Sequence, residues 1–342
     1  MTATTGPGPT EVDEEVVPLP VADVARLAAD VLAEVGGAVV GMRPTLRLAL
    51  AAVLAGGHVL VEDVPGLGKT LAARSLALAL GLGFTRLQCT PDLLPSDVTG
   101  SFVFDPATTS FEFRPGPVFT GLLLADEVNR TPPKTQAALL EAMQEGQVTV
   151  EGRTTRLPVP FHVLATANPV EHEGTYPLPE AQLDRFLVRV SVGYPAPAEE
   201  AEVLARRVAR RAEATRVRAV VDAPTLRRMQ AGVEQVDVDP DVLAYCVSLA
   251  AGTRTHSAVE VGASPRGSLA LLLVARALAV LDGRDVVLPE DVQEAAPSVL
   301  AHRLTLGVQT WDGSATAAGV VADVLRTTAT PATLPTRPAR SP

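Results

Sequence analysis

The sequence has few of the features that mark secreted, disulfide-rich or membrane proteins. Its only two cysteines, Cys89 and Cys246, lie far apart with no metal-ligand spacing, so we interpret both as buried free thiols in a reducing compartment. No charge-free apolar stretch reaches the roughly 18 residues that a membrane span needs. Residues 1–15 show neither the basic start nor the apolar run of a secretion signal. We therefore expect a cytoplasmic protein with no membrane span.

Positive charge is also scarce. The formal net charge is −10, which argues against a protein whose main task is to bind nucleic acid, although a local basic patch is compatible with it. The 342 residues suggest two or three domains. The hydrophobic share of 47% supplies ample material for a core.

The chain is organised around residues 58–70 (HVLVEDVPGLGKT). A short apolar run, residues 59–61, predicts a buried strand, and Lys69 opens an apolar-periodic helix that we expect to end near Leu80. A glycine-rich turn between a strand and a helix points backbone N–H groups at an anion, to which the helix N-terminus adds partial positive charge. This context predicts a phosphate-binding loop in which Thr70 offers its hydroxyl to Mg²⁺.

The match to the phosphate-loop pattern is imperfect at its first position. Gly68, Lys69 and Thr70 fit, but Asp63 stands where the pattern has glycine. Asp tolerates unusual backbone angles better than most residues, so the turn is compatible with it. A carboxylate beside a triphosphate is unfavourable unless it points away from the loop.

Two adjacent acids, Asp126 and Glu127, follow the apolar run at residues 121–125. In open α/β sheets, ligands bind at the carboxyl ends of the strands, and paired buried carboxylates are costly without a counter-charge. We predict that Asp126 holds Mg²⁺ and that Glu127 orients or deprotonates the attacking water. The alternative is a strand that ends at the surface with two solvated acids.

Other polar residues are weaker candidates. Asn168 ends the next apolar run and is predicted to bind a phosphate or the attacking water, although Asn-Pro alone signals a turn. Arg266 follows a Ser-Pro helix start, where an arginine opposes the helix dipole unless it faces an anion. Arg185, or less favourably Arg130 or Arg114, is a candidate for an arginine supplied to the nucleotide of a neighbouring subunit. For each arginine, a solvated or surface-paired side chain is the competing interpretation.

Strand and helix patterns alternate from residue 58 to residue 192 and predict a parallel, doubly wound α/β sheet. The expected strands are residues 59–61, 84–88, 121–125, 161–165 and 186–192. Hairpins are expected at residues 100–113 and 147–158. Beyond residues 195–197 the pattern is helical, with helices near 198–213, 223–235, 239–251 and 265–281 and a shorter one after Pro289. Residues 1–20 and 327–342 are expected to be disordered.

Five segments resemble the MoxR family of AAA+ ATPases, and the likeness spans about residues 21–310. They are residues 64–70 (VPGLGKT), 90–97 (TPDLLPSD), 113–119 (FRPGPVF), 125–136 (ADEVNRTPPKTQ) and 173–186 (EGTYPLPEAQLDRF). The resemblance implies an αβα nucleotide-binding core at residues 21–195 with a five-stranded parallel sheet, followed by an all-helical lid at residues 196–326. It also implies ATP and Mg²⁺ as cofactors.

The resemblance assigns roles to individual residues. It implies Walker A at Lys69 and Thr70, Walker B at Asp126 and Glu127, sensor 1 at Asn168, the arginine finger at Arg185 and sensor 2 at Arg266. The expected nucleotide contacts are Val40, Gly41, Pro65, Gly66, Leu67, Gly68, Lys69, Thr70 and Leu71.

The family resemblance implies a chaperone-like ATPase that forms a ring, usually a hexamer, and that works with partners containing a von Willebrand factor A domain. Three alternatives stay open. They are a DNA motor, for which Arg153 and Arg156 in the second hairpin are the best support, a magnesium-chelatase-like motor subunit, and a nucleotide-regulated scaffold with negligible hydrolysis.

Overall fold

The computed structural model describes residues 16–169, 174–211, 215–307 and 315–332. The strands are β1 (Val59–Glu62), β2 (Phe84–Gln88), β3 (Gly100–Asp105), β4 (Ser110–Pro115), β5 (Leu122–Asp126), β6 (Gln147–Val150), β7 (Arg153–Arg156), β8 (His162–Ala167), β9 (Val188–Val190), β10 (Val259–Val261) and β11 (Thr305–Leu306). The helices are α1 (Val21–Ala38), α2 (Arg43–Leu54), α3 (Lys69–Ala79), α4 (Pro95–Thr99), α5 (Pro133–Glu145), α6 (Glu180–Leu183), α7 (Pro197–Arg210), α8 (Ala223–Val233), α9 (Pro240–Thr255), α10 (Pro265–Leu281), α11 (Pro289–Leu300) and α12 (Ala317–Thr327).

A five-stranded parallel sheet in the order β2-β5-β8-β1-β9 forms the centre of the molecule, which confirms the predicted fold class. Alternate residues of each strand face opposite sides. In β5, Leu122 and Leu124 belong to one core cluster, whereas Leu123 and Ala125 belong to the other. Burial on both faces explains why the central strands have continuous apolar runs in the sequence.

The two faces of the sheet are covered differently. One core cluster joins α1, α2 and α3 to α8, α9, α10, α11 and α12, and the other packs α4 and α5 on the opposite face. The larger core therefore continues from the sheet into the helices that follow residue 197. The boundary we proposed near residue 195 divides the chain in sequence, but it does not divide the apolar core.

Two hairpins project from the core, as predicted: β3 with β4, and β6 with β7. The Arg153 guanidinium lies 5.0 Å from the centre of the Phe102 ring, so the hairpins contact each other. At the end of the first hairpin, the Phe104 and Phe111 rings stack edge to face with centroids 5.5 Å apart.

The structure corrects several boundaries. Helix α1 continues through Gly36-Gly37 to Ala38, although glycine often ends a helix, and β9 is shorter than the predicted strand at residues 186–192. Helices α4, α6 and α12 were not predicted. The C-terminal part is helical, as expected, but it also contains the short antiparallel pair of β10 and β11.

The predicted disordered termini are partly ordered. Residues 1–15 and 333–342 lie outside the described residues. Within residues 16–20, the Leu19 N–H donates to the Arg228 carbonyl at 3.0 Å, and Arg228 Nε donates to the Val17 carbonyl at 3.2 Å. Near the other end, Gln293 donates to the Thr330 hydroxyl at 3.2 Å. Backbone and side-chain hydrogen bonds that the sequence does not reveal fix both segments. Within the described residues, no helix combines the length and the apolar character of a membrane span.

Candidate nucleotide-binding site

One cleft opens at the carboxyl ends of the parallel strands, between β1 and α3. Its lining residues are Pro65, Gly66, Gly68, Lys69, Thr70, Arg86, Gln88, Asp126, Glu127, Ala167 and Asn168. The cleft therefore brings together most of the predicted loop residues, the paired acids and Asn168, which lie at the ends of three different strands or in the turns that follow them.

The phosphate loop adopts the backbone that its glycines permit. Gly66 and Gly68 have φ of +87° and +80°, in the left-handed region where a side chain is strained. Lys69 begins α3, and its Nζ donates to the Asp63 carbonyl at 2.8 Å. Burial lowers the pKa of the Lys69 ammonium, and the nearby carboxylates oppose this shift. The Asp63 carbonyl thus holds the ammonium group beside the loop.

The Asp63 carboxylate points away from the cleft. Its Oδ2 accepts hydrogen bonds from the backbone N–H groups of Val192 (2.6 Å) and Gly193 (2.7 Å), and Oδ1 accepts from the Val64 N–H at 2.8 Å. Burial raises the pKa of Asp63, but these N–H groups outweigh burial and leave the pKa below its ordinary value. The acid at the first loop position therefore fixes the loop to the segment after β9 and places no charge on the phosphate side.

The paired acids are held by a buried threonine on the adjacent strand. The Thr166 hydroxyl donates to Asp126 Oδ1 at 2.7 Å and accepts from the Glu127 N–H at 2.8 Å. Glu127 has φ 60° and ψ 50°, a left-handed backbone that non-glycine residues seldom adopt. This turn directs the Glu127 side chain into the cleft immediately after the strand ends.

Two side chains from β2 also contact the acids. Arg86 Nη2 donates to Asp126 Oδ2 at 2.6 Å, and Gln88 Nε2 donates to Glu127 Oε2 at 3.1 Å. None of the three polar residues Arg86, Gln88 and Thr166 was predicted from the sequence to belong to the site. A signal was present, because each is a polar residue near the carboxyl end of a predicted strand.

Asn168 lies beside the acids at the end of β8 and is almost fully buried. Asn129, from the turn after Glu127, donates through Nδ2 to the Asn168 carbonyl at 3.1 Å. The two turns that follow β5 and β8 are therefore joined directly. Asn168 lines the cleft.

The cleft does not include the predicted distant arginines. Arg185 lies in a separate cleft with Glu141 and Glu145 of α5, and its buried Nε has no hydrogen-bond partner among the described residues. Arg266 is the second residue of α10, and its Nη1 lies 4.0 Å from Asp184 Oδ2. Arg130 does approach the site, because its Nε lies 3.3 Å from Glu127 Oε2. Arg114 lies on β4, opposite Ser101.

Four predicted nucleotide contacts do not line the cleft: Val40, Gly41, Leu67 and Leu71. Gly41 joins α1 to α2 with φ +75°, and a Cβ there would lie 3.0 Å from the Glu199 carboxylate of α7. The backbone angle of this connection therefore favours glycine, because other residues are strained at such a φ.

The donor atoms of the cleft suit a hard cation bound together with phosphates. Mg²⁺ takes oxygen ligands and usually keeps several waters or substrate phosphates. The Thr70 hydroxyl and the Asp126 carboxylate are such ligands. Among the described residues, no group of three or more His, Cys, Asp or Glu side chains is arranged to hold a metal alone. A cation here would take its other ligands from water or from the phosphates of a bound nucleotide.

Comparisons with known proteins agree with this geometry. The family model for "ATPase family associated with various cellular activities (AAA)" matches residues 58–188, and that for "AAA lid domain" matches residues 251–324. Chaperone MoxR1 of Mycobacterium tuberculosis is 43% identical over 87% of this chain and 81% of its own length. The chain belongs to the MoxR family of AAA+ ATPases.

Two further proteins are similar to most of the chain. The uncharacterized protein YeaC of Bacillus subtilis is 49% identical over 83% of this chain and 88% of its own length. A crystal structure of a Cytophaga hutchinsonii protein superposes with a TM-score of 0.85 and 39% identity, covering 91% of this chain and 97% of the other. The MoxR resemblance inferred from the five sequence segments is thereby confirmed.

Proposed function

We propose that this MoxR-family protein is a Mg²⁺-dependent ATPase that works as a homo-oligomeric ring, hexameric as the family resemblance implies. We propose further that it remodels or matures client proteins like a chaperone in the cytoplasm. The observation that supports ATP hydrolysis best is the single cleft that gathers Lys69, Thr70, Asp126, Glu127 and Asn168. The two buried free cysteines support a reducing compartment.

Each cleft residue has a role in this proposal. Lys69 and the loop N–H groups bind the terminal phosphates, and Thr70 and Asp126 would hold Mg²⁺. The metal, when bound, supplies neutralisation of charge on the phosphate oxygens. Glu127 accepts a proton from the attacking water or orients it, and Asn168 holds that water in line.

Residues outside the cleft would complete nucleotide binding. Val40, Gly41 and Leu71 are proposed to contact the base, and Arg266 is proposed to reach the phosphates from the start of α10. Arg266 is 60% exposed and its contact with Asp184 is long, at 4.0 Å, so little free energy opposes its movement toward an anion.

The proposal is tested by measuring ATP turnover with the wild-type chain, Lys69→Ala and Glu127→Gln. We expect Lys69→Ala to lose nucleotide binding, and Glu127→Gln to bind ATP but hydrolyse it at least about a hundredfold more slowly. Equal turnover in all three proteins would remove the assigned chemistry. ATP-dependent assembly without turnover in the wild type would instead support the scaffold alternative.

A DNA motor remains the competing function from another class. Its support was Arg153 and Arg156 in the second hairpin, but the Arg153 guanidinium stacks on the Phe102 ring of the first hairpin. The net charge of −10 also opposes it. A salt-dependent binding assay with single- and double-stranded DNA distinguishes the two functions, because tight ATP-stimulated binding would favour the DNA motor.

The client protein can be identified by its binding to a ring that holds ATP without hydrolysing it. We propose a partner that contains a von Willebrand factor A domain, and a magnesium-chelatase-like role would differ only in the partner. Glu127→Gln should retain ATP and client together, so a pull-down with this variant, compared with Lys69→Ala as the control, tests the partner. Recovery of the same proteins with both variants would count against nucleotide-dependent client binding.

A further inference from the structure

Two neighbouring polar residues of β2 form a bridge to both acids of the cleft. Arg86 and Gln88 are two positions apart on the strand, so they share one face. Arg86 Nη2 donates to the Asp126 carboxylate at 2.6 Å and to Gln88 Oε1 at 2.8 Å, and Arg86 Nε donates to the same Asp126 oxygen at 3.1 Å. The guanidinium thus directs two N–H groups at a single carboxylate oxygen.

Both oxygens of Asp126 are engaged in this arrangement. Oδ1 accepts from the Thr166 hydroxyl at 2.7 Å, and Oδ2 accepts from Arg86. A divalent cation near Asp126, bound directly or through a water, needs one of these oxygens as its partner. It would also be repelled by the guanidinium charge while Arg86 remains in place.

The two partners of Asp126 differ in their freedom to move. Thr166 is 1% exposed and also holds the Glu127 N–H, so its release would disrupt a buried strand end. The Arg86 side chain is 48% exposed, and β2, which carries it, is an edge strand of the sheet. Its guanidinium lies at the end of a long, flexible side chain. Arg86 is therefore the partner that can leave at low cost in free energy.

We propose that Arg86 is a built-in counter-cation of Asp126, which neutralises this carboxylate when no divalent cation is bound and is displaced from Oδ2 when a divalent cation arrives. The inference deepens the proposed function, on which its biological meaning rests. Arg86 acts here as a positioning residue that sets how tightly the cleft binds a divalent cation before any chemistry occurs.

The test measures Mn²⁺ binding to the nucleotide-free full-length protein by electron paramagnetic resonance of the unbound ion. Mn²⁺ shares the preference of Mg²⁺ for oxygen ligands. Arg86→Gln and Arg86→Met both remove the competing charge, so we expect each to bind Mn²⁺ about two- to fivefold more tightly than the wild type, the scale of a half-exposed ion pair. Arg86→Lys should resemble the wild type.

Two controls isolate the effect. Arg218→Gln removes one positive charge from a surface pair with Glu34, and it should leave Mn²⁺ affinity unchanged. Asp126→Asn in the Arg86→Gln background should abolish the gain. Thermal unfolding verifies that each variant is folded, and the two neutral substitutions provide independent evidence if one of them is not.

Unchanged or weaker Mn²⁺ binding in a folded Arg86→Gln or Arg86→Met protein would overturn the inference. This outcome is separable from failure of the proposed function. If the wild type hydrolyses ATP but the Arg86 variants bind Mn²⁺ no more tightly than the wild type, only the role of Arg86 is refuted. If the Arg86 variants bind Mn²⁺ more tightly but the wild type does not hydrolyse ATP, only the proposed ATPase activity is refuted.

Discussion

Asp63 shows how one residue can satisfy a position that usually has glycine. Its carboxylate receives the N–H groups of Val64, Val192 and Gly193, while its carbonyl accepts from Lys69 Nζ. The side chain thus joins the phosphate loop to the chain after β9, and the main chain holds the lysine. Hydrogen bonds from several N–H groups to one charged carboxylate are stronger than neutral ones.

We predict that Asp63→Ala disorders the loop, because three backbone N–H groups and the Ser191 hydroxyl lose their acceptor. The free energy of unfolding should fall by about 1–3 kcal/mol, and ATP affinity should fall about tenfold or more. Chemical denaturation and titration with a fluorescent ATP analogue measure both. Asp105→Ala, which removes one hydrogen bond in a hairpin turn, is the control. Wild-type ATP affinity in Asp63→Ala would contradict this account of the loop.

Buried histidines make the fold sensitive to acid. The His58 Nδ1 accepts a hydrogen bond from the Val163 N–H, and its Nε2 lies 3.0 Å from the Met143 carbonyl oxygen. Burial, with a smaller effect of His162, lowers the pKa of His58 from 6.5 to about 4. The unfolded chain therefore takes up a proton at this residue first as the pH falls, and the folded chain does so only near pH 4.

The free energy of unfolding should consequently decrease as the pH falls from about 6.5 to about 4, with His58 contributing up to about 3 kcal/mol. His162 and His302, whose pKa values burial also lowers, add to the same trend. Urea denaturation at a series of pH values measures it. His58→Asn cannot titrate and should show a shallower dependence. A wild type equally stable at pH 7 and pH 4.5 would argue against neutral buried histidines.

At the scale of elements, the start of α10 is built by its own sequence and by a contact from a distant segment. The Ser264 hydroxyl accepts from the Arg266 N–H at 3.2 Å, the cap that the Ser-Pro sequence predicted. The same hydroxyl donates to Asp184 at 3.4 Å, and Arg303 donates to Asp184 at 2.8 Å. This helix start is thereby fixed to the segment that carries Arg185.

Ser264→Ala should lower the free energy of unfolding by about 1 kcal/mol, because the helix loses its N-terminal cap. Ser248→Ala is the matched control, since Ser248 donates only to the Ala244 carbonyl within α9, and it should change stability by less than about 0.5 kcal/mol. Equal effects of both substitutions on the urea midpoint would show that the cap contributes nothing.

Elements with strong local patterns were predictable, and those fixed by tertiary contacts were not. The strand β2 was predicted at its observed bounds, and α10 begins at the predicted proline. Helix α1 continues past Gly36-Gly37 because Val35 and Ala38 remain buried in the core, although glycine usually weakens a helix. The short helices α4 and α6 have too few residues for a recognisable period.

At the scale of the molecule, the position of Arg185 suggests that the site is completed by another copy of the chain. Its cleft, formed with residues of α5 and β6, is separate from the one that holds the acids. An arginine that acts on the nucleotide of its own subunit would have to line the cleft that holds Asp126 and Glu127. A ring with heterologous contacts can instead present this arginine to the next subunit.

Arg185→Ala should retain ATP binding but lose at least about a hundredfold in turnover. Mixing it with Glu127→Gln subunits should restore activity, because about a quarter of randomly formed interfaces pair an intact Arg185 with an intact Glu127. Turnover assays on mixed rings, with each variant alone as the control, measure this recovery. No recovery in a ring whose mixed composition has been verified would count against Arg185 acting between subunits.

The sequence by itself determined the parallel sheet, the phosphate loop, the paired acids and the family, because these depend on local periodicity, on glycine positions and on short contiguous segments. Only the tertiary structure decided where the Asp63 carboxylate points, that Arg86 and Thr166 share Asp126, and that the core extends across the residue 195 boundary. These features depend on contacts between residues far apart in the chain, such as the 40 positions that separate Arg86 from Asp126. No periodicity or local motif in the sequence encodes such a distance.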